Sequence, residues 1–130
     1  MKKSGAVFIA LSTMAIGSVA FAGNKGTYPV TIDNAHLTAS GSLGSARNSS
    51  DSIQYIEIVN NVDSAGNPGV QFFFRDAASN SAYCFSSAAG ILAVAHSAPS
   101  DAIVTIHWDT NHNCTYVESR TDSLAPPKNP

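Results

Sequence analysis

The chain has 130 residues, of which 44% are hydrophobic and 12% charged, and nine acidic residues against seven basic ones give a formal net charge of −2. Proteins that bind nucleic acid present a basic face, because neutralising phosphates supplies much of their affinity. This acidic balance argues against that class. A chain of this length has room for one modest hydrophobic core.

The first 22 residues have the pattern of a bacterial-type secretory signal peptide. Lys2 and Lys3 form a basic start, residues 6–16 are mostly apolar, and the sequence AFA at residues 20–22 is typical of a cleavage site. The apolar run is shorter than the about 20 residues that a membrane span needs, and no second run follows. We therefore expect cleavage after Ala22, a secreted or periplasmic chain and no membrane span.

Two predicted strands lie in the first half of the mature chain. In GTYPVTIDN, residues 26–34, larger apolar residues alternate with smaller or polar ones, which is typical of a half-buried strand. Residues 39–52, rich in serine and glycine, follow as a long continuation in which Gly41 and Gly44 would let a long first strand bend. SIQYIEIVN, residues 52–60, predicts the second strand.

A turn and a third strand follow. The composition of NVDSAGNPG, residues 61–69, predicts a turn. VQFFFRD, residues 70–76, predicts a strand in which Val70, Phe72 and Phe74 share one face. After the break at SNS, we expect this strand to continue through SAYCFS, residues 81–86.

The periodicity then becomes helical over SSAAGILAVAHSAPSD, residues 86–101. Ser86 or Ser87 is expected to cap the helix at its start, and Pro99 is expected to end it. AIVTIHWD predicts a fourth strand with one apolar face, formed by Ala102, Val104, Ile106 and Trp108. CTYVESR, residues 114–120, predicts the fifth strand, and we expect residues 122–130, which contain several prolines, to be a disordered tail.

The only cysteines are Cys84 and Cys114, and a secretory signal directs both to an oxidising compartment. We expect them to form one disulfide, which closes a loop of about 30 residues and contributes roughly 3–4 kcal/mol to stability. The alternative is a reactive or metal-bound thiolate.

The predicted order is three strands, one short helix and two strands, within a single domain at residues 23–121. A mainly β, five-stranded barrel with a helix between its third and fourth strands is the oligonucleotide/oligosaccharide-binding (OB) architecture. We therefore expect a small OB-like barrel with one short helix and one disulfide. A small open α+β sheet with the helix on one face is the alternative topology.

Several elements resemble the B subunits of AB5 toxins of the pertussis and subtilase cytotoxin type, and related small secreted proteins of Gram-negative bacteria. The resemblance covers the signal peptide, AYCF, AAGILAVAHSA, AIVTIHW and a second cysteine at the start of the last strand. It implies an OB fold, pentameric assembly and binding of sialylated or other host glycans. Toxin B subunits carry a closely spaced disulfide around the third strand, which this chain lacks, and their glycan-contacting residues match no position here.

Sugar recognition uses exposed aromatic rings beside amides and hydroxyls. Trp108, next to Asp109 and Asn111, fits that description, and so does Tyr116. His112 in the same hairpin is a further candidate for ligand binding. The alternative for Trp108 is a place in the core, because it shares the face of Val104 and Ile106. A second polar candidate is the passage at residues 45–52, with Arg47 and Asn48, and its alternative is a flexible loop.

The stretch HWDTNHNC, residues 107–114, also contains residue types that bind metals. His107, Asp109 and His112 could converge at a hairpin tip, but their spacing lacks ligand pairs such as HxxxH or CxxC. Asp, Thr and Asn are also common turn residues. We therefore favour a polar hairpin whose exit is fixed by Cys114, and we expect neither a metal nor a cofactor.

No catalytic motif is present in the sequence: there is no GxSxG, no HExxH and no phosphate-binding glycine loop. We therefore expect a binding protein rather than an enzyme, with a glycan as the first candidate ligand and assembly into homo-oligomers. The alternative is a module that binds an envelope or host protein, or an enzyme inhibitor that acts through the His112-containing hairpin tip. A small hydrolase without a familiar motif is the third class.

Overall fold

The computed structural model describes residues 26–124. These residues form seven strands and two short helices. In chain order the elements are β1 (Thr31–Asp33), β2 (Thr38–Ser42), α1 (Leu43–Arg47), β3 (Tyr55–Val62), β4 (Pro68–Arg75), β5 (Ser81–Ser86), α2 (Ala89–Ser97), β6 (Ile103–Trp108) and β7 (Cys114–Arg120). The mainly β prediction is therefore confirmed.

The strands form two antiparallel sheets that share one core. One sheet has four strands in the order β1-β2-β6-β7, and the other has three in the order β3-β4-β5. A single cluster of buried side chains joins them, with Phe72 and Phe74 from β4 beside Val104, Ile106 and Trp108 from β6. Between residues 26 and 124 the sheets do not close into a barrel, so the five-stranded OB-like barrel is not confirmed.

The long first strand that the sequence predicted is divided into β1, β2 and α1. Ser42 caps α1, because its Oγ accepts a hydrogen bond of 3.2 Å from the Ser45 amide, so the backbone turns into a helix at the point where Gly44 was expected to bend a strand. Gly41 allows a close backbone approach: a Cβ there would lie 3.0 Å from Val30 Cα. Residues 45–52, for which a flexible loop was the alternative to a ligand site, are therefore partly helical.

The third predicted strand does not continue through residues 81–86 but folds back on itself. β4 and β5 pair in an antiparallel hairpin in which Phe72 lies opposite Cys84. The turn forms because Asp76 accepts hydrogen bonds from both the backbone amide and the side chain of Asn80, at 2.9 and 2.8 Å. The face that the sequence predicted for β4 is confirmed, since Val70, Phe72 and Phe74 are buried.

The predicted helix and the last two strands are confirmed, with a correction at the helix start. Leu92 of α2 is buried, and α2 ends before Pro99 as expected. Its N-cap is Ala88, which offers no side-chain bond, and Ser86 Oγ instead accepts a hydrogen bond of 3.1 Å from the Ala88 amide. β7 has the bounds that the sequence predicted.

The disulfide between Cys84 and Cys114 is formed, as predicted, with the two Cα atoms 5.0 Å apart. It links β5 of the three-stranded sheet to the start of β7 in the four-stranded sheet. The Phe85 amide also donates a hydrogen bond of 2.9 Å to the His112 carbonyl. The loop before β7 is therefore attached to the outer edge of β5.

Both ends of the chain lie partly outside the described residues. The predicted signal peptide and the last six residues of the predicted tail are among these, so both stay predictions. Asp122 lies in the described part of that tail and accepts a hydrogen bond of 2.8 Å from the Leu124 amide. Between residues 26 and 124, no helix has the length and apolar character required to cross a membrane.

Candidate functional site: an aromatic face on the three-stranded sheet

The outward side of β4 and β5 carries aromatic side chains. Successive side chains of a strand point to opposite faces, so the buried residues of these strands put the residues between them on the outside. Phe73 lies opposite Tyr83, and Gln71 lies opposite Phe85. Together with His112 from the neighbouring loop, these residues form what we call the aromatic face.

Three rings of the aromatic face form a row. The centroids of Phe73 and Tyr83 are 6.2 Å apart with an interplanar angle of 24°, and those of Tyr83 and His112 are 4.1 Å apart with an angle of 14°. A separation of 4.1 Å leaves no room for a ligand between two rings. Contact is therefore available at the ring edges, at the ends of the row and on Phe85, which is 46% exposed.

A groove of about 780 Å³ runs along the part of this face that β4 and β5 form, and His112 lies outside its lining. Phe73, Tyr83 and Phe85 contribute apolar surface. The polar groups are the Asp63 carboxylate and the amides and hydroxyls of Asn61, Asn67, Gln71, Ser86 and Ser87. Gly69 preserves the space for one of these amides, because a Cβ there would lie 3.2 Å from Asn61 Oδ1. Apolar rings bordered by a few polar groups are typical of small-ligand sites.

Three hairpin loops of the protein have the same local structure. They are residues 63–67 (DSAGN), 76–80 (DAASN) and 109–113 (DTNHN), and each begins with aspartate and ends with asparagine. In each loop the aspartate carboxylate accepts hydrogen bonds from the amide and the side chain of the asparagine, at 2.8 to 2.9 Å. The fourth residue has a positive φ in all three: Gly66, Ser79 and His112.

These hydrogen bonds lower the pKa values of the aspartates in two of the loops. The side-chain hydrogen bond from Asn113, followed by the backbone bond from the same residue, lowers the pKa of Asp109. Asn67 lowers the pKa of Asp63 in the same way. Asp109, a predicted ligand residue, therefore helps to form the turn, while Asn111 is exposed beside it.

The possible metal ligands of the hairpin do not converge. His107 packs on Tyr116 with the ring centroids 5.1 Å apart, whereas His112 packs on Tyr83 of the other sheet. Within residues 26–124, no group of three or more metal-binding side chains is assembled. The structure therefore divides His107 and His112 between two surfaces.

The two aromatic residues that the sequence predicted for ligand contact lie elsewhere. Trp108 is only 6% exposed and belongs to the core, so its ring is not accessible to a sugar. This is the alternative that the alternation of its strand predicted. Tyr116 is exposed on the outer face of the four-stranded sheet. Its hydroxyl donates a hydrogen bond of 3.1 Å to Glu118 Oε2, which raises the pKa of Tyr116.

Arg47 and Asn48 lie at the end of α1, away from the aromatic face. The Arg47 guanidinium donates to the Ser100 carbonyl at 3.4 Å. Asn48 borders a second cavity of about 400 Å³ that also includes Asp51 and Gln54.

Asp51 holds this second cavity together through a hydrogen-bond network. It accepts hydrogen bonds from the backbone amides of Gln54 and Ile53 and from the Gln54 side chain, which lower its pKa to about 2. Gln54 Oε1 in turn accepts a bond of 2.8 Å from the Val30 amide. The side chains of Asp51 and Gln54 are therefore engaged with the protein itself.

The sequence analysis did not identify Gln71, Phe73, Tyr83 and Phe85 as site residues. The signal was present, because the same alternation that put Phe72 in the core put Phe73 outside. What the alternation did not show is that β5 folds back beside β4 and brings the outward residues of both strands together.

Comparison with known proteins returned no match among protein-family models, curated proteins or solved structures.

Proposed function

We propose that this protein is a secreted or periplasmic binding protein without catalytic activity, and that it binds a glycan on the aromatic face. The observation that carries the proposal is a cluster of rings, with Tyr83 and Phe85 almost half exposed, along a groove bordered by amides, hydroxyls and the Asp63 carboxylate. A pyranose has apolar C–H surfaces that contact rings and hydroxyls that need hydrogen-bond partners, so this combination suits it.

The state of the acidic side chains supports binding rather than acid–base catalysis. A carboxyl group that acts as a general acid near neutral pH needs a raised pKa. Asp63, which borders the groove, and Asp109 instead have lowered pKa values because turn amides donate to them. Their oxygens are already used in stabilising the loops.

The disulfide supports a location outside the cytoplasm. Structural disulfides persist in oxidising compartments and are rare where thiols are kept reduced. The bond between Cys84 and Cys114 links the two sheets, and it would persist in such a compartment. This agrees with the secretory signal predicted for the first 22 residues.

Homo-oligomerisation is a part of the proposal that the free strand edges support. Between residues 26 and 124, β3 pairs only with β4 and β7 pairs only with β6, so each has an unpaired edge. Such edges offer backbone groups to another chain. A ring of subunits, as the resemblance to toxin B subunits implies, would strengthen weak single-site sugar binding through multivalency.

A glycan array with the mature chain tests the proposed function. We expect binding by the unmodified protein and loss of binding by Tyr83→Ala. Tyr116→Ala is a matched control, because Tyr116 is 47% exposed and Tyr83 is 44% exposed, yet they lie on different sheets. Native mass spectrometry of the same protein tests whether the subunits assemble into a closed oligomer.

The outcomes of the array separate the two surfaces. If Tyr116→Ala loses binding and Tyr83→Ala keeps it, the site lies on the four-stranded sheet and the aromatic face is wrong. If the unmodified protein binds no glycan as a monomer or as an oligomer, glycan binding is wrong and the second candidate below takes its place.

The second candidate is a protein-binding envelope module or an enzyme inhibitor that uses the hairpin tip at residues 109–113. The observation in its favour is the rigidity of the tip: the loop is closed by Asp109 and Asn113 and is attached to β5 by the disulfide. Asn111 is exposed there. In capture experiments from envelope extracts, a true partner would be lost with Asn111→Arg but retained with Tyr83→Ala.

A further inference from the structure

We propose that His112 determines the ligand specificity of the aromatic face by accepting a hydrogen bond from a sugar hydroxyl at its Nε2 atom. This inference rests on the proposed function, and it adds the residue and the atom that select the ligand.

The position of His112 does not require a histidine. The three equivalent hairpin loops place Gly66, Ser79 and His112 at the same left-handed position, with φ values of 87°, 67° and 61°. The same backbone bond, from this residue to the aspartate carbonyl, forms at 2.9 to 3.0 Å in each loop. Glycine and serine therefore suffice for the turn, so the imidazole serves another purpose.

The imidazole of His112 is fixed in the row of rings. It stacks on Tyr83, and the Phe85 amide donates to the His112 carbonyl at 2.9 Å. The disulfide that begins two residues later holds the same loop against β5. The stacking holds the ring, and the hydrogen bond and the disulfide hold the backbone that carries it. A side chain ordered in this way loses little freedom when a ligand binds, which favours selective binding.

The hydrogen bonding of His112 defines its tautomer. Nδ1 lies 3.3 Å from the Tyr83 carbonyl oxygen. A carbonyl only accepts hydrogen bonds, so in the neutral ring Nδ1 carries the proton and Nε2 is an acceptor. No residue between 26 and 124 forms a hydrogen bond with Nε2, so this acceptor is free to take a hydroxyl donor from a ligand at the end of the row.

The test uses NMR of the isotope-labelled mature protein with methyl pyranosides of glucose, galactose, mannose and N-acetylglucosamine as probes. We expect at least one glycoside to shift the ring signals of both Tyr83 and His112. His112→Phe keeps a ring without Nε2 and should weaken that glycoside about 3- to 10-fold, the effect of one hydrogen bond. His112→Gly removes the ring as well and should weaken it further.

A set of deoxy analogues identifies the hydroxyl. The analogue that lacks the contacted hydroxyl should bind the unmodified protein as weakly as the parent glycoside binds His112→Phe. Binding of this analogue to His112→Phe should be hardly weaker still, because both changes remove the same hydrogen bond. Ser79→Gly is the matched control, because it changes the equivalent position of a loop that carries no residue of the aromatic face, and it should leave the affinity unchanged. Thermal unfolding confirms that each variant folds.

The two proposals fail in different ways. If a glycoside shifts Tyr83 but binds both His112 variants as tightly as the unmodified protein, the role of His112 is wrong and the aromatic face remains the site. If no glycoside shifts any residue of the aromatic face, both proposals are wrong.

Discussion

The outward faces of the two sheets differ in the contacts that their side chains make: hydrogen bonds on one sheet and stacked or exposed rings on the other. On the four-stranded sheet, Ser40 and Thr105 share a hydrogen bond of 2.9 Å, and Tyr116 donates to Glu118. On the three-stranded sheet, the outward positions of β4 and β5 include three rings, of which Phe73 and Tyr83 stack on each other, and Tyr83 and Phe85 remain almost half exposed.

This contrast is the reason that we propose one of the two faces as a binding surface. Both faces arise from the same period of two, with every second residue in the shared core. Polar side chains that bond one another need no ligand. Clustered rings in water leave apolar area exposed, and such a cluster on a soluble domain usually marks a contact surface. The aromatic face therefore carries the functional proposal, and the other face provides the controls.

The largest expected effect comes from comparing neighbours on opposite sides of β4. Phe72 is fully buried, so Phe72→Ala should lower the free energy of unfolding by about 3–5 kcal/mol. Phe73→Ala, on the aromatic face, should cost clearly less, because that ring is only partly buried. Urea denaturation measures both. Equal losses would mean that the aromatic face is part of the core.

The disulfide is next in expected size, and it connects the two sheets. Replacing both cysteines, Cys84→Ser with Cys114→Ser, should lower the free energy of unfolding by about 3–4 kcal/mol, because the bond closes a loop with a sequence separation of 30. The loop of His112 should also separate from Tyr83, which NMR contacts between the rings would reveal. If the contact between the two rings persists, the hydrogen bond from Phe85 is sufficient to hold the His112 loop against β5.

The three equivalent loops provide an internal comparison with smaller effects. Asn67→Ala, Asn80→Ala and Asn113→Ala each remove the same side-chain hydrogen bond, at 2.8 to 2.9 Å. Each should cost about 0.5–1.5 kcal/mol in urea denaturation. Asn113→Ala should also disturb the aromatic face because its loop carries His112, and Asn67→Ala should alter the groove because Asn67 lines it. Asn80→Ala changes a loop with neither role, so an effect of Asn80→Ala on ligand binding equal to the other two would contradict this assignment.

The smallest effect is on acid stability, because the carboxylates concerned are exposed and screened by water. Hydrogen bonds lower the pKa of Asp51 from 3.8 to about 2, so the folded state binds its proton less readily than the unfolded state. Its contribution to stability is present above pH 4 and is lost as the pH falls toward 2. Thermal unfolding across this range should show a weaker pH dependence for Asp51→Asn.

Local patterns in the sequence predicted most of the strands and the core. The alternation in VQFFFRD identified Val70, Phe72 and Phe74 as buried, because a strand that covers a core must alternate. The oxidising context and the presence of only two cysteines predicted the bond between Cys84 and Cys114. The repeated spacing of aspartate and asparagine in three loops was also visible in the sequence, and it encodes the turns, because all of its hydrogen bonds lie within five residues.

The tertiary structure alone decided how the strands group and which outward residues meet. The sequence predicted five strands in one barrel, whereas the described residues form two separate sheets, and hydrogen bonding between strands distant in the chain makes that choice. Trp108 and Tyr116 were predicted as ligand contacts from residue type, yet the fold puts one in the core and the other on the opposite sheet. His112 reaches Tyr83, 29 positions earlier, only because the disulfide and a β5 amide hold its loop there. Contacts of that range depend on packing, which no local pattern encodes.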